Sequence, residues 1–183
     1  MAVTKKESFF YDFMADFPHD FNFTLCGFLN FFQDIEKKGI ILGVNVKKVY
    51  LFADGALKTK ENVVIFSCFA KKKKIEMELN YYAPYHGHSQ VDGHFGLGKM
   101  KLRNNAKDGP VCDAKMVQES FSQLKNTTAT FIKIVECNLI VEKLLNIRKY
   151  FQWKLGEDGI VRCRERSGEG EWVQQGIEWH IEE

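Results

Sequence analysis

Residues 46–55, Val-Lys-Lys-Val-Tyr-Leu-Phe-Ala-Asp-Gly, join an apolar run to an acidic turn and decide the fold class. The run is rich in β-branched and aromatic residues, which favours a strand, and its apolarity predicts burial on both faces. The Asp54-Gly55 pair that follows ends the strand. Residues 75–82 then alternate apolar with polar side chains, which predicts a second, half-buried strand.

Helical patterns surround these two strands. Residues 22–38 and 60–71 predict two helices, and Asn22 is the expected N-cap of the first. A loop rich in glycine and histidine at 83–91 precedes a third predicted helix, which starts at Asp92 as its cap. The apolar stripe of the first helix consists of Leu25, Phe28, Leu29, Phe32 and Ile35. The order helix, strand, helix, strand, helix predicts an α/β core with parallel strands.

The rest of the chain adds further elements to this core. The expected ones are an extended segment at 8–18, a helix at 113–125, a strand at 130–135 and a helix at 139–150. The tail from residue 151 carries short strand patterns separated by glycine-rich turns. We therefore expect two parts, a core over residues 1–150 and a small β appendage over residues 151–183.

Composition excludes several classes of protein. Of the 183 residues 45% are hydrophobic, enough for a packed core, and 26 basic residues nearly balance 24 acidic ones. This balance gives no bulk electrostatic attraction to nucleic acid, so any DNA contact must come from a local cluster. The five cysteines are odd in number and show no CxxC spacing, which favours a reducing compartment. With no signal segment and no apolar membrane span, we expect an intracellular protein, nuclear or cytoplasmic.

A second segment, residues 85–99, carries a concentration of functional residue types. It reads Tyr-His-Gly-His-Ser-Gln-Val-Asp-Gly-His-Phe-Gly-Leu-Gly-Lys. Asp92 places a carboxylate just past the second predicted strand, and the glycines around it allow the backbone to approach a ligand or another element closely. Both predicted strands are thus followed by an aspartate-glycine pair.

Together the two motifs resemble those of eukaryotic transposon-derived proteins with an RNase H-like catalytic core. In that family a strand ends in Ser-Asp-Gly. A later segment reads His-Gly-Lys, three residues, Asp-Gly, two residues and Gly, and a basic residue comes after this glycine. Asp54 and Gly55 match the first motif. The positions that match the second are His86, Gly87, Asp92, Gly93, Gly96 and Lys99. Ala53, His88 and the pair His94-Phe95 depart from the pattern, and the resemblance covers roughly residues 18–110.

The resemblance implies a partial RNase H-like core whose ancestral reaction cuts and joins DNA. In such a reaction two Mg²⁺ or Mn²⁺ ions about 3.5–4 Å apart activate the attacking oxygen and stabilise the leaving one, and carboxylates and waters bind them. By this resemblance Asp54 is the second acid, Asp92 is the third, and both are metal ligands. His86 would orient a water or a phosphate oxygen. The expected DNA contacts are Lys99, Lys101 and Arg103.

The first acid of the family's triad has no clear counterpart in this chain. An RNase H-like sheet opens with three antiparallel strands, whereas about 20 residues precede the first helix here. They are too few for three strands of about five residues each with turns. Asp12 and Asp16 are the candidates within this segment. We therefore expect a truncated or decayed transposase core that binds DNA weakly and does not cleave it. The alternative is a non-enzymatic, domesticated module that binds nucleic acid or protein.

Simpler interpretations of the same residues stay open. Asp54-Gly55 is also a common turn after a strand. His86, His88 and His94 have a spacing that allows two or three of them to bind zinc, or they are loop histidines bonded to backbone and water.

Three other features have alternatives of the same kind. The lysines at 71–74 contact phosphate or form a solvated run. The tail tryptophans stack on bases or pack a small β unit; they are Trp153, Trp172 and Trp179. A sheet edge left open by missing strands can pair with a second copy of the chain.

Overall fold

The computed structural model describes residues 10–15, 20–53, 58–82, 90–106, 109, 113–144, 146–166 and 168–182. These residues form four helices and nine strands, which confirms the mixed α/β class. The helices are α1 (Phe21–Lys37), α2 (Lys60–Lys73), α3 (Gln90–Asn105) and α4 (Ala114–Ser122). The strands are β1 (Phe10–Met14), β2 (Lys48–Ala53), β3 (Glu76–Tyr81), β4 (Thr127–Phe131), β5 (Leu139–Lys143), β6 (Gln152–Leu155), β7 (Val161–Arg164), β8 (Val173–Gln175) and β9 (Glu178–Ile181).

The chain divides into two compact units. Unit 1 comprises residues 1–18 and 88–134, and unit 2 comprises residues 19–87 and 135–183. This division differs from the expected one at residue 150, because strands that follow this residue pair with a strand that precedes it.

Unit 2 is built on a five-stranded sheet with the order β2-β3-β6-β7-β8. β2 and β3 are parallel, as predicted, and the other neighbours in the sheet are antiparallel. The tail strands β6 to β8 therefore extend this sheet and do not form a separate appendage. Trp153 and Leu155 explain why, because both are fully buried and lie beside Leu79 and Met77 of β3. β5 and β9 pair in a smaller antiparallel sheet.

Helices α1 and α2 cover one face of the five-stranded sheet. Phe32 of α1 and Phe66 of α2 are buried in the same core as Met77. The predicted apolar stripe of α1 is confirmed for Phe28 and Phe32, which belong to this core, whereas Leu29 is 43% exposed. The stripe is therefore narrower than the sequence pattern indicates.

Both helices begin at side-chain caps. The carboxylate of Asp20 accepts a hydrogen bond of 3.1 Å from the backbone N–H of Phe23 and caps α1. The predicted cap, Asn22, lies inside the helix, where its side chain accepts a bond from the N–H of Cys137. The hydroxyl of Thr59 caps α2 in the same way. The cap prediction for α1 is wrong because Asp20, and not Asn22, lies three residues before a free N–H of the first turn.

The prediction that β2 is buried on both faces is also wrong. Val49 and Leu51 contact the core, whereas Tyr50 and Phe52 are 55% and 61% exposed. Two facts account for the difference. β2 is the end strand of its sheet, and α1 and α2 contact only the face that carries Val49 and Leu51.

A strand replaces the first part of the helix predicted over residues 139–150. Leu139–Lys143 form β5, which pairs antiparallel with β9. Ile140 and Val141 are β-branched and favour an extended backbone. A paired partner strand, distant in sequence, outweighs the local helical periodicity.

Unit 1 pairs β1 with β4 in parallel and packs α4 against both strands. β1 confirms the predicted extended segment near the N-terminus. β4 starts three residues before the predicted strand at 130–135 and overlaps only its first two residues. α3 packs on α4 at Gly98, where a Cβ atom would lie 2.2 Å from the ring of Phe121. Glycine is required at this position because a side chain would separate the two helices.

Two further observations concern the described residues only. None of the four helices is long and apolar enough to cross a membrane. Four cysteines are free thiols, and they are Cys26, Cys68, Cys137 and Cys163.

Candidate functional site

The two aspartate-glycine motifs, Asp54-Gly55 and Asp92-Gly93, follow neighbouring parallel strands along the chain. β2 ends at Ala53 and β3 at Tyr81, and these residues are partners in the register. The backbone N–H of Tyr82 donates to the carbonyl of Ala53 over 2.9 Å. The chain therefore leaves both strands at the same edge of the sheet. In open α/β sheets this carboxyl edge is where ligands commonly bind.

Several predicted site residues lie outside the described part of the chain. They are Asp54, His86, His88 and Asp16. The expected roles of Asp54 as a metal ligand and of His86 therefore stay predictions. Among the described residues, no group of three or more His, Cys, Asp or Glu side chains is arranged to hold a metal ion.

Asp92 lies in the first turn of α3 and is exposed. The helix already includes Gln90 and Val91, so the prediction that Asp92 is its cap is wrong. A carboxylate in the first turn interacts favourably with the partial positive charge of the helix N-terminus. This interaction explains why an aspartate is favourable within the first turn of a helix as well as at the cap position.

The predicted DNA contacts lie in the second half of α3. Lys99 and Arg103 are exposed and four residues apart, so they share one face of the helix. Lys101 is partly buried and lies about 200° around the helix from Lys99. Asp92 shares the Lys99 face, about 10 Å away along the axis. The predicted basic group is therefore divided, with Lys99 and Arg103 directed outward together.

Asp12 and His94 form a buried polar pair in unit 1. His94 Nε2 lies 2.7 Å from Asp12 Oδ2, and the two residues are only 6% and 8% exposed. The ring of Phe10 stacks on the imidazole at 4.2 Å between centroids, and the ring of Phe121 meets it edge-on at 5.9 Å. These aromatic neighbours exclude water, and a low local dielectric strengthens the hydrogen bond.

This pair gives a shared structural role to two residues for which the sequence predicts separate functions. Asp12 is a candidate for the first acid of the triad and His94 for a zinc ligand, but here each satisfies the other. A sequence signal exists for both. Asp12 and Met14 are two residues apart on the inward side of β1, and His94 and Gly98 are four apart on the inward side of α3. Polar residues at such inward positions predict a buried partner.

Comparison with known families and proteins gives one match. Residues 16–152 match a family model described as Domain of unknown function (DUF8701). This segment is well over half of the chain, so the chain belongs to the DUF8701 family. It contains every predicted site residue from Asp54 to Arg103, but not Asp12. No curated protein and no solved structure matches the chain.

Proposed function

We propose that the chain is a transposase-derived, RNase H-like domain that binds duplex DNA without cleaving it. The observation that most directly supports this proposal is the parallel pairing of β2 and β3. Because of this pairing, both transposase-like motifs leave the sheet at one edge. The second motif continues into α3, whose outward face carries Asp92, Lys99 and Arg103.

The environment of Asp12 supports the absence of cleavage. Its carboxylate is buried and bound to His94, whereas a ligand of a two-metal centre must reach ions that also contact the DNA phosphate. By the family resemblance, Asp54 and Asp92 are the two remaining acids of the triad, and such carboxylates bind Mg²⁺ or Mn²⁺ together with waters. They do not provide the two-ion clamp that in-line displacement requires.

Two further expectations belong to this proposal. A role on DNA implies the nucleus in a eukaryotic cell. Self-association is expected at β2, because this strand ends the five-stranded sheet and an end strand presents backbone groups that can pair with another strand.

The first test is a plasmid-nicking assay. The purified chain, incubated with supercoiled plasmid and Mn²⁺, is expected to leave the plasmid supercoiled on an agarose gel, as is the Asp92→Ala variant. Metal-dependent nicking by the parent chain, abolished in Asp92→Ala, would contradict the proposal. It would also make Asp16 the next candidate for the first acid, since Asp12 is engaged by His94.

The second test measures duplex binding by fluorescence anisotropy at several NaCl concentrations. Lys99→Ala and Arg103→Ala are each expected to lower the slope of log K against log salt by about one, the value for one lost phosphate contact. Lys101→Ala should change the slope less, because Lys101 is partly buried and on another face. Lys115→Ala, at an exposed lysine of α4, is the matched control. Slopes equal to the parent in both outward variants would exclude this face of α3 as the DNA contact.

A further inference from the structure

The five-stranded sheet of unit 2 has a second face, on the side away from α1 and α2. In the strand register, the outward residues of β2 share this face with alternate residues of β3, β6 and β7. The ones that concern a ligand are Lys48, Tyr50, Phe52, Lys154, Arg162 and Arg164. We call this surface the open sheet face.

Aromatic rings are exposed along the β2 side of the open sheet face. Tyr50 and Phe52 are 55% and 61% exposed, and Tyr82 is 38% exposed with its ring 6.1 Å from that of Phe52. Residues two apart on a strand are separated by about 7 Å. Aromatic side chains on the exposed surface of a sheet stack two or three bases in common RNA-binding modules. Tyr50 and Phe52 can each offer a ring in the same manner.

The acidic residues of this face are neutralised by neighbouring lysines. Lys48 Nζ lies 2.7 Å from Glu76 and 3.1 Å from Glu78, and Lys154 Nζ lies 2.7 Å from Glu76. Burial alone would raise the pKa of Glu76, but hydrogen bonds from Lys154 and Lys48 outweigh burial and lower this pKa. The Glu76 carboxylate is therefore ionised, both glutamates are paired with lysines, and they do not leave the face acidic.

A cavity of about 470 Å³ adjoins the face at the start of β2 and β3. Its lining includes the basic residues Lys47, Lys74 and Arg162, the acidic residues Glu157 and Asp158, and Trp172. Arg162 is paired with Asp158 at 3.1 Å, so among the described lining residues Lys47 and Lys74 are the cations without such an acidic partner within the cavity. The guanidinium of Arg164 lies 4.5 Å from the ring centre of Trp172, an arrangement that holds a cation and an aromatic ring side by side. The open sheet face and the cavity together carry six basic and four acidic side chains. The surplus of positive charge complements a phosphate backbone.

We propose that the open sheet face and this cavity bind single-stranded DNA. Tyr50 and Phe52 stack on two successive bases, and the cationic residues of the cavity contact the phosphates that follow. Single strands are specified because a duplex keeps its base faces stacked inside, whereas an unpaired base presents a face that any aromatic ring can accept. The choice of DNA over RNA rests on the proposed function. The stacking and charge arguments for a single strand are independent of that function.

The test is anisotropy of a fluorescein-labelled 12-nucleotide oligo(dT) with the full chain. Tyr50→Ala and Phe52→Ala are each expected to weaken binding about tenfold, within the range measured for one stacked base, and the double variant about 100-fold. Phe95→Ala is the matched control, because Phe95 is 47% exposed but lies on α3 in unit 1. Circular dichroism checks that each variant keeps its fold.

The outcomes separate this proposal from the function proposed above. Lys99→Ala and Arg103→Ala should weaken duplex binding and leave oligo(dT) binding unchanged. The α3 face and the open sheet face can therefore be disproved independently of each other. The proposal is overturned if the parent does not bind oligo(dT), or if the double variant binds it as tightly as the parent. Tighter binding of oligo(rU) would overturn the assignment to DNA. A dimer that Phe52→Ala dissociates, with oligo(dT) affinity unchanged, would assign the face to a second copy of the chain.

Discussion

The His94→Ala variant is expected to destabilise unit 1 by at least about 1–3 kcal/mol, the usual cost of leaving one member of a buried hydrogen-bonded pair without its partner. The substitution leaves the carboxylate of Asp12 buried without its 2.7 Å partner and removes the ring that stacks on Phe10. Hydrogen exchange of the backbone amides in β1, β4 and α3 is the suitable measurement. Tryptophan fluorescence is not, because all three tryptophans belong to unit 2.

Two comparisons isolate the effect of burial. His180 also pairs with a carboxylate, at 3.0 Å from Glu142, but its side chain is 49% exposed. His180→Ala should therefore leave exchange in its own sheet nearly unchanged. Adding Asp12→Ala to His94→Ala removes the carboxylate that His94→Ala leaves without a partner. The double variant should therefore lose clearly less stability than the sum of the losses in the two single variants. Additive costs would show that Asp12 and His94 do not act as a pair.

The Trp153→Ala variant is expected to destabilise unit 2 by about 3–5 kcal/mol, as for other large aromatic residues removed from a core. Trp153 is fully buried and lies in the sheet between Leu79 and Cys163. Its ring meets that of Tyr150 edge-on at 5.7 Å. Urea unfolding followed by far-ultraviolet circular dichroism measures the loss, and hydrogen exchange of β2 and β3 locates it.

The control is a tryptophan of the same tail with a different environment. Trp179 in β9 is 43% exposed, and Trp179→Ala should cost less than about 1 kcal/mol. The pair of variants also tests how the tail is joined to the rest of unit 2. If Trp153→Ala left exchange in β2 and β3 unchanged, the tail strands would be an independent appendage and the five-stranded sheet would be wrong.

Local sequence patterns predicted the elements whose structure depends on near neighbours. The alternation from Ile75 to Tyr81 specifies a strand with one buried face, and the structure buries Ile75, Met77, Leu79 and Tyr81. Helices α1 and α2 follow from apolar spacing, since residues three and four apart lie on one helix face. The parallel pairing of β2 and β3 follows from the helix between them, which leaves enough chain for a crossover.

Sequence patterns also located one part of the candidate site. The basic residues Lys99 and Arg103 are four apart, so their common face is a property of any helix over that segment. Whether that face is open to DNA depends on what packs on the opposite side. Here His94 and Gly98 are the buried residues of α3, and their burial directs Lys99 and Arg103 outward.

By itself, then, the sequence determined the class of the fold, the first two helices and the strands between and after them, because each depends on residues within a few positions of one another. Tertiary structure alone decided the rest, because it depends on partners distant along the chain. Residues 139–143 become a strand since β9 supplies the hydrogen bonds, and the tail joins the main sheet since β6 pairs with β3. Asp12 and His94 meet across 82 positions. Tyr50 and Phe52 stay exposed because the helices cover only the other face of their sheet.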